Sequence, residues 1–161
     1  MKALFSVFVS GALLGGCGTI HSHNQLDQPQ GEYLTASIGS VIFRVTKSSD
    51  LPNAVGGADI FGGKVARGFT EMRLKGIQGT KLQLQVLDAN TNSTETTMDR
   101  YGNRPRVDVR NQISIGNNTP GDTTSFIFDM NDDLELVISG VKVTFVQASK
   151  YSIKYHLQQV R

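Results

Sequence analysis

The sequence predicts an all-β domain, a single two-sheet β-sandwich, with a small β-barrel as the alternative. Apolar residues recur at every second position along most of the chain. Turn signals rich in Gly, Pro, Asn and Asp separate the alternating runs, and no segment holds a convincing helical period. The length of 161 residues points to one domain. With 39% hydrophobic residues the chain can build an ordinary core.

The runs follow one another from Tyr33 onward. Val41, Phe43 and Val45 alternate with Ile42, Arg44 and Thr46, and Leu82, Leu84 and Val86 alternate with Lys81, Gln83 and Gln85. Val107, Val109, Ile113 and Ile115 share one parity, and Phe126 and Phe128 come next. Leu134, Leu136 and Ile138 lead through Ser139-Gly140 into Val141, Val143 and Phe145, a pattern that predicts a tight hairpin. Tyr151, Ile153, Tyr155 and Leu157 close the chain. Such alternation puts one side of each strand on a core and the other in water. Between Val65 and Ile77, Phe69 has the wrong parity for Met72 and Leu74. That mismatch predicts a bulge near Gly68, with a short helix as the alternative.

The N-terminus is of another kind. Met1-Lys2 supplies a positive charge, Ala3 to Leu14 is apolar, and the small residues Gly15 and Gly16 precede Cys17. This is the layout of a secretory leader. The apolar stretch falls short of the roughly 20 residues that a permanent membrane helix needs. Leu14-Gly15-Gly16-Cys17 resembles the lipobox of bacterial lipoproteins: an aliphatic residue three before the cysteine, then two small ones. The resemblance covers the first 17 residues and uses the only cysteine in the chain. It implies a diacylglyceryl group on the Cys17 thiol, cleavage just before it, and acylation of the new amine. Family members with aspartate after the cysteine stay at the inner membrane. Gly18 at that position implies the outer membrane. The expected location is lipid-anchored there; the periplasmic face is a separate expectation, and the residues leave the leaflet open. The alternatives are an ordinary cleaved leader with a chance cysteine, or an N-terminal helix of a soluble protein.

The predicted organisation is therefore a leader over 1–16, a lipidated N-terminus and flexible tether over 17–31, and the sandwich over 32–161. Gly18 to Gly31 is polar apart from Ile20 and Leu26. Fully extended, it would span at most roughly 50 Å and lift the domain clear of the headgroups. With Cys17 acylated no thiol is left for a disulfide, so stability has to come from packing.

Several constellations suggest chemistry. His21 and His23 place two imidazoles in the tether, too few for a metal site that needs about four ligands; they read as solvated linker residues, and His156 as a surface residue on the polar face of the last strand. Asp129, Asn131 and Asp133 begin like a calcium loop, but the glycine and glutamate that an EF-hand needs fall on Leu134 and Gly140. A looser calcium site in a turn is the remaining metal reading. The glycines of Gly56 to Lys64 miss the phosphate-loop spacing, and Val65 stands where a hydroxyl should be. They read as turns, or as a binding loop between strands. Arg100, Arg104 and Arg106, with Tyr101 among them and Arg110 beyond, form a basic cluster able to meet lipopolysaccharide, peptidoglycan carboxylates or an acidic partner. The formal net charge of +2 is too close to zero to predict a nucleic-acid partner by itself, and an exported protein would not share a compartment with one. No nucleophile elbow is present and no thiol is free, so the residues name no catalytic group and no cofactor beyond the covalent lipid.

Ala58 to Gly76, with Thr94 to Met98, is similar to segments of uncharacterised bacterial envelope proteins, a resemblance that bears on compartment only. The expected function is a membrane-anchored, non-enzymatic binding or assembly module contacting the bilayer and another envelope protein or cell-wall component. The alternatives are a cell-wall-acting enzyme and a calcium- or glycan-binding domain.

Overall fold

The computed structural model describes residues 18–102, 112–115 and 123–160. The chain forms two antiparallel sheets. The larger contains β1 (Ser22–Leu26), β3 (Val41–Asp50), β4 (Lys64–Gln78) and β5 (Lys81–Asn92) in that spatial order. Along the far edge of β5 run β6 (Gln112–Ile115), against Ala89 to Asn92, and β7 (Thr123–Asp129), against Lys81 to Leu87. The smaller sheet has the order β2 (Leu34–Ser37), β10 (Ser152–Gln159), β9 (Val141–Ala148), β8 (Glu135–Ile138). The two sheets pair within themselves and do not close into a barrel.

The core lies largely where the alternation placed it, with three corrections. Ile42, expected on the outward face of β3, is fully buried where the register shifts between Val41 and Phe43. Leu134 and Tyr151, expected on the core face, are exposed because they stand at turns beyond the ends of β8 and β10. Phe43 and Val45 of β3, Met72 and Leu74 of β4, and Leu82 and Leu84 of β5 face Val141, Val143 and Phe145 of β9 and Ile153, Tyr155 and Leu157 of β10 in one buried cluster. Phe128 and Phe145 meet across the layers with ring centroids 5.0 Å apart. The Tyr155 hydroxyl donates to the Ile42 carbonyl at 2.8 Å, a buried bond that ties one sheet to the other.

The region from Val65 to Ile77 is strand, with the predicted bulge. Lys47 pairs with Gly68 but Ser48 with Ala66, so Arg67 is the extra residue. This reconciles a buried Val65 with buried Met72 and Leu74 of the opposite parity. Phe69 faces outward, where the Arg44 guanidinium covers its ring at 3.9 Å. Gly68 has φ +122°, and a Cβ there would sit 1.9 Å from the Ala89 carbonyl oxygen; only glycine fits. The predicted hairpin turn also forms, with positive φ at both Ser139 (51°) and Gly140 (75°), the signature of a type I′ turn.

The flexible tether is corrected. Ser22–Leu26 pairs with Val45 to Ser49 as an edge strand, and Leu26 is buried in the core. The residues after it are also held. Gln28 accepts from the Arg44 backbone N–H at 2.7 Å, Gln30 accepts from that of Gln159 at 2.9 Å, and the Gly31 N–H donates to the Leu157 carbonyl at 3.2 Å. The physical reason is the free edge of β3: its unpaired backbone groups give a polar segment hydrogen-bond partners that apolar patterning does not report. The folded unit therefore reaches back to the first described residues.

β4 and β5, at 15 and 12 residues, outrun the strands of the smaller sheet, which have at most 8. Toward the ends that extend past it, the inward-facing positions become polar. Lys47 pairs with Asp88 at 2.6 Å, and Thr70 bonds the same carboxylate at 3.3 Å. The ends of β3 and β5 and the starts of β1 and β4 meet at this overhang.

Candidate functional site

The overhang carries the loop between β3 and β4 and a one-turn helix, α1 (Thr97–Tyr101). Asn53 organises the loop from within. Its Oδ1 accepts from the N–H groups of Val55 (3.0 Å) and Gly57 (2.9 Å), and its amide donates to the Ala58 carbonyl (3.1 Å). The Asn side chain thus takes the place of a backbone turn. Asp59, almost fully buried, closes the loop. One carboxylate oxygen accepts from the Gly63 N–H at 2.9 Å and the other from the Thr97 hydroxyl at 3.3 Å. Thr97 also donates its N–H and hydroxyl to the Pro52 carbonyl, at 2.9 and 3.2 Å. Loop and helix are thereby fastened together.

α1 begins at a capping box. Thr96 accepts from the Asp99 N–H, and the Asp99 carboxylate accepts from the Thr96 N–H at 2.9 Å. Arg100 forks onto Glu95 with bonds of 2.8 and 2.7 Å and donates a third to the Lys64 carbonyl at 3.0 Å. The guanidinium holds Glu95 below the usual carboxylate range. Arg100, predicted as a ligand contact, thus pins α1 to the start of β4. Tyr101 is exposed and stands edge-on to Phe61, centroids 5.8 Å apart. Arg104, Arg106 and Arg110 lie outside the described residues, as does Cys17.

This stiff scaffold presents apolar side chains to solvent: Val55 is 82% exposed, Ile60 87% and Phe61 72%, with Met98 and Tyr101 of α1 beside them in the exposed set. Sequence reasoning identified a possible binding loop here but not these residues. Their signal was three large apolar side chains among glycines, with no alternation to bury them. The N-terminal segment joins the same end, where the Gly18 carbonyl accepts from the Ala58 N–H at 2.8 Å.

His21 and His23, read from sequence as solvated linker residues, converge on Asp50. His23 Nε2 lies 2.6 Å from one carboxylate oxygen, and His21 Nδ1 lies 3.3 Å from the other, which also accepts from the His21 N–H at 2.9 Å. The His21 N–H first, and the His23 ring second, bring the Asp50 pKa down to about 2. The cluster staples β1 onto β3. His156 is half-buried on β10 and meets the Tyr33 ring edge-on at 6.0 Å, across a shallow cavity they line with Gln30 and Gln158.

Asp129, Asn131 and Asp133 share a turn, and each makes hydrogen bonds that shape it. Asp129 accepts from the Asn131 N–H and the Thr80 hydroxyl, both at 3.0 Å, and its pKa is lowered, chiefly by that N–H. Asn131 points its amide donor at Thr80 (2.9 Å), and Asp133 accepts from the Glu135 N–H (2.9 Å). Among the described residues no group of three His, Cys, Asp or Glu is placed to hold a metal ion. No helix among them is long and apolar enough to cross a membrane.

Comparison with protein-family models, curated proteins and solved structures finds no match for the chain.

Proposed function

We propose that the chain is a lipid-anchored envelope protein whose β-sandwich serves as a non-enzymatic binding or assembly module, held at the periplasmic face of the outer membrane. The observation that carries the reading is the leader ending in Leu14-Gly15-Gly16-Cys17, which places the only thiol where a lipoprotein is acylated. Two or three acyl chains would anchor it stably, since one chain alone binds only marginally. The module half of the reading is supported by apolar side chains displayed on a braced loop, a surface suited to contact.

Expression of the full chain and of Cys17→Ala in a bacterial host tests the anchor. The parent should fractionate with membranes and carry a diacylglyceryl mass on residue 17, and the variant should accumulate uncleaved or lipid-free. Membrane attachment of a processed, lipid-free variant would refute it. Affinity capture from detergent-solubilised membranes should recover a stoichiometric envelope partner. A cleared zone on a peptidoglycan gel would overturn the non-enzymatic half and favour the cell-wall-acting enzyme.

A further inference from the structure

We propose that the β3–β4 loop, together with α1, is a bilayer-docking surface, seated at headgroup level beside the acyl chains on Cys17. The inference rests on the lipid-anchor reading and adds an orientation to it. Consecutive Cα atoms across a trans peptide are about 3.8 Å apart, so residue 17 must lie within one residue step of Gly18. Gly18 is fastened to Ala58 in the middle of the loop, its carbonyl accepting the Ala58 N–H at 2.8 Å. No free tether separates the acylated residue from the domain. Acyl chains leaving Cys17 therefore enter the membrane next to Val55, Ile60 and Phe61, the loop's most exposed apolar side chains.

The chemistry of the loop suits that position. Aliphatic and phenyl groups gain by leaving water, and the phenol of Tyr101 has the amphipathic character favoured at the membrane–water boundary. Exposed Lys64, at the base of the loop, is available to anionic headgroups. Asn53 and Asp59 already hold the loop in shape, so docking does not have to order it. The anchor confines these side chains to the interface and raises their effective concentration there without a new contact. A bilayer is thus the occupant that the chain's own connectivity delivers to this surface.

The chain contains no tryptophan, which makes single-tryptophan reporters clean. Phe61→Trp and, as a control, Tyr151→Trp are made in the full chain and reconstituted into vesicles of phosphatidylethanolamine and phosphatidylglycerol, with or without brominated acyl chains. Tyr151 is exposed beside a turn that shares a cavity with Gly79 and Thr80, at the opposite end of the sandwich. Emission of F61W should be blue-shifted and quenched at least about twofold by the bromines, and that of Y151W should be unaffected. Serine at Val55 and Ile60 in the F61W chain should strip away most of the quenching, because each aliphatic group lost weakens partitioning about tenfold. Mass spectrometry of residue 17 in the same preparations separates the two readings. A diacylated chain with unquenched F61W overturns the docking surface alone, and a blue shift without bromine quenching does the same by assigning the loop to a second copy or a protein partner. An unmodified Cys17 overturns the anchor and the docking with it.

Discussion

Tyr155→Phe tests the bond that joins the two sheets. The side chain is 3% exposed and its hydroxyl donates to the Ile42 carbonyl at 2.8 Å. Phenylalanine keeps the ring in the core and deletes only that donor, at a cost of about 1–2 kcal/mol at neutral pH. Burial pushes the Tyr155 pKa up from 10.0 to about 12. Within that window the unfolded chain has released the phenol proton and the folded chain still holds it. Stability therefore falls as pH rises, by about 2–3 kcal/mol over the whole window. The contribution is fully present below the unfolded value and gone above the folded one. The phenylalanine variant has no such proton, so subtracting it from the parent removes every titration the two share. Urea unfolding followed by far-UV circular dichroism should give a parent more stable at neutral pH, a gap that closes near about pH 11, and a small reversal beyond it. A gap of the same size at neutral and alkaline pH would refute the reasoning.

Gly68→Ala should lose more than about 2 kcal/mol in the same unfolding experiment, because positive φ and the Ala89 carbonyl both exclude a Cβ; a neutral result would mean the bulge can be rebuilt. The depressed Asp50 carboxyl stabilises the fold above its ordinary value of 3.8, and that contribution is lost as pH falls through about 2. Asp50→Asn should abolish this acid step and speed hydrogen exchange in β1 first. Asp59→Ala strands the Gly63 N–H and cuts the contact between the loop carboxylate and the Thr97 hydroxyl, and limited proteolysis should cut within 53–63 about tenfold faster while β9 stays protected. Asp129→Ala should lower the melting temperature by loosening the Thr80–Asn131 turn, and added calcium should neither raise the parent's melting temperature nor rescue the variant.

The core strands were legible because period-two alternation is a direct imprint of a sheet with one buried face. β3, β5, β9 and β10 could be read off one by one, and even the Gly68 bulge left its mark as a broken parity. β1 left no such mark. An edge strand lying mostly outside the core needs few apolar residues, here Leu26, and takes its stability from backbone pairing and from an Asp50 that lies 27 and 29 residues away from its two histidines. Long-range polar partnerships of this kind have no local pattern. The same holds for Arg100: four nearby arginines suggest a basic cluster, but only the fold reveals that Glu95 and the Lys64 carbonyl occupy this one. α1 had a signal, Thr96 three residues before Asp99, too short to stand out against the surrounding polar residues. Val55, Ile60 and Phe61 were visible as residues, and their exposure depends on the internal bonds of Asn53 and Asp59.

The smaller sheet pairs β2 with β10, joining residues more than a hundred positions apart. β3, β4 and β5 can associate as neighbours in sequence, but their apolar side stays bare until the last strands arrive. A chain that appears N-terminus first, from a ribosome or a narrow pore, therefore cannot finish folding midway through its passage. Completion waits for the C-terminal hairpin, which keeps the polypeptide threadable almost to its end and leaves a sticky sheet in need of a holding partner during the delay.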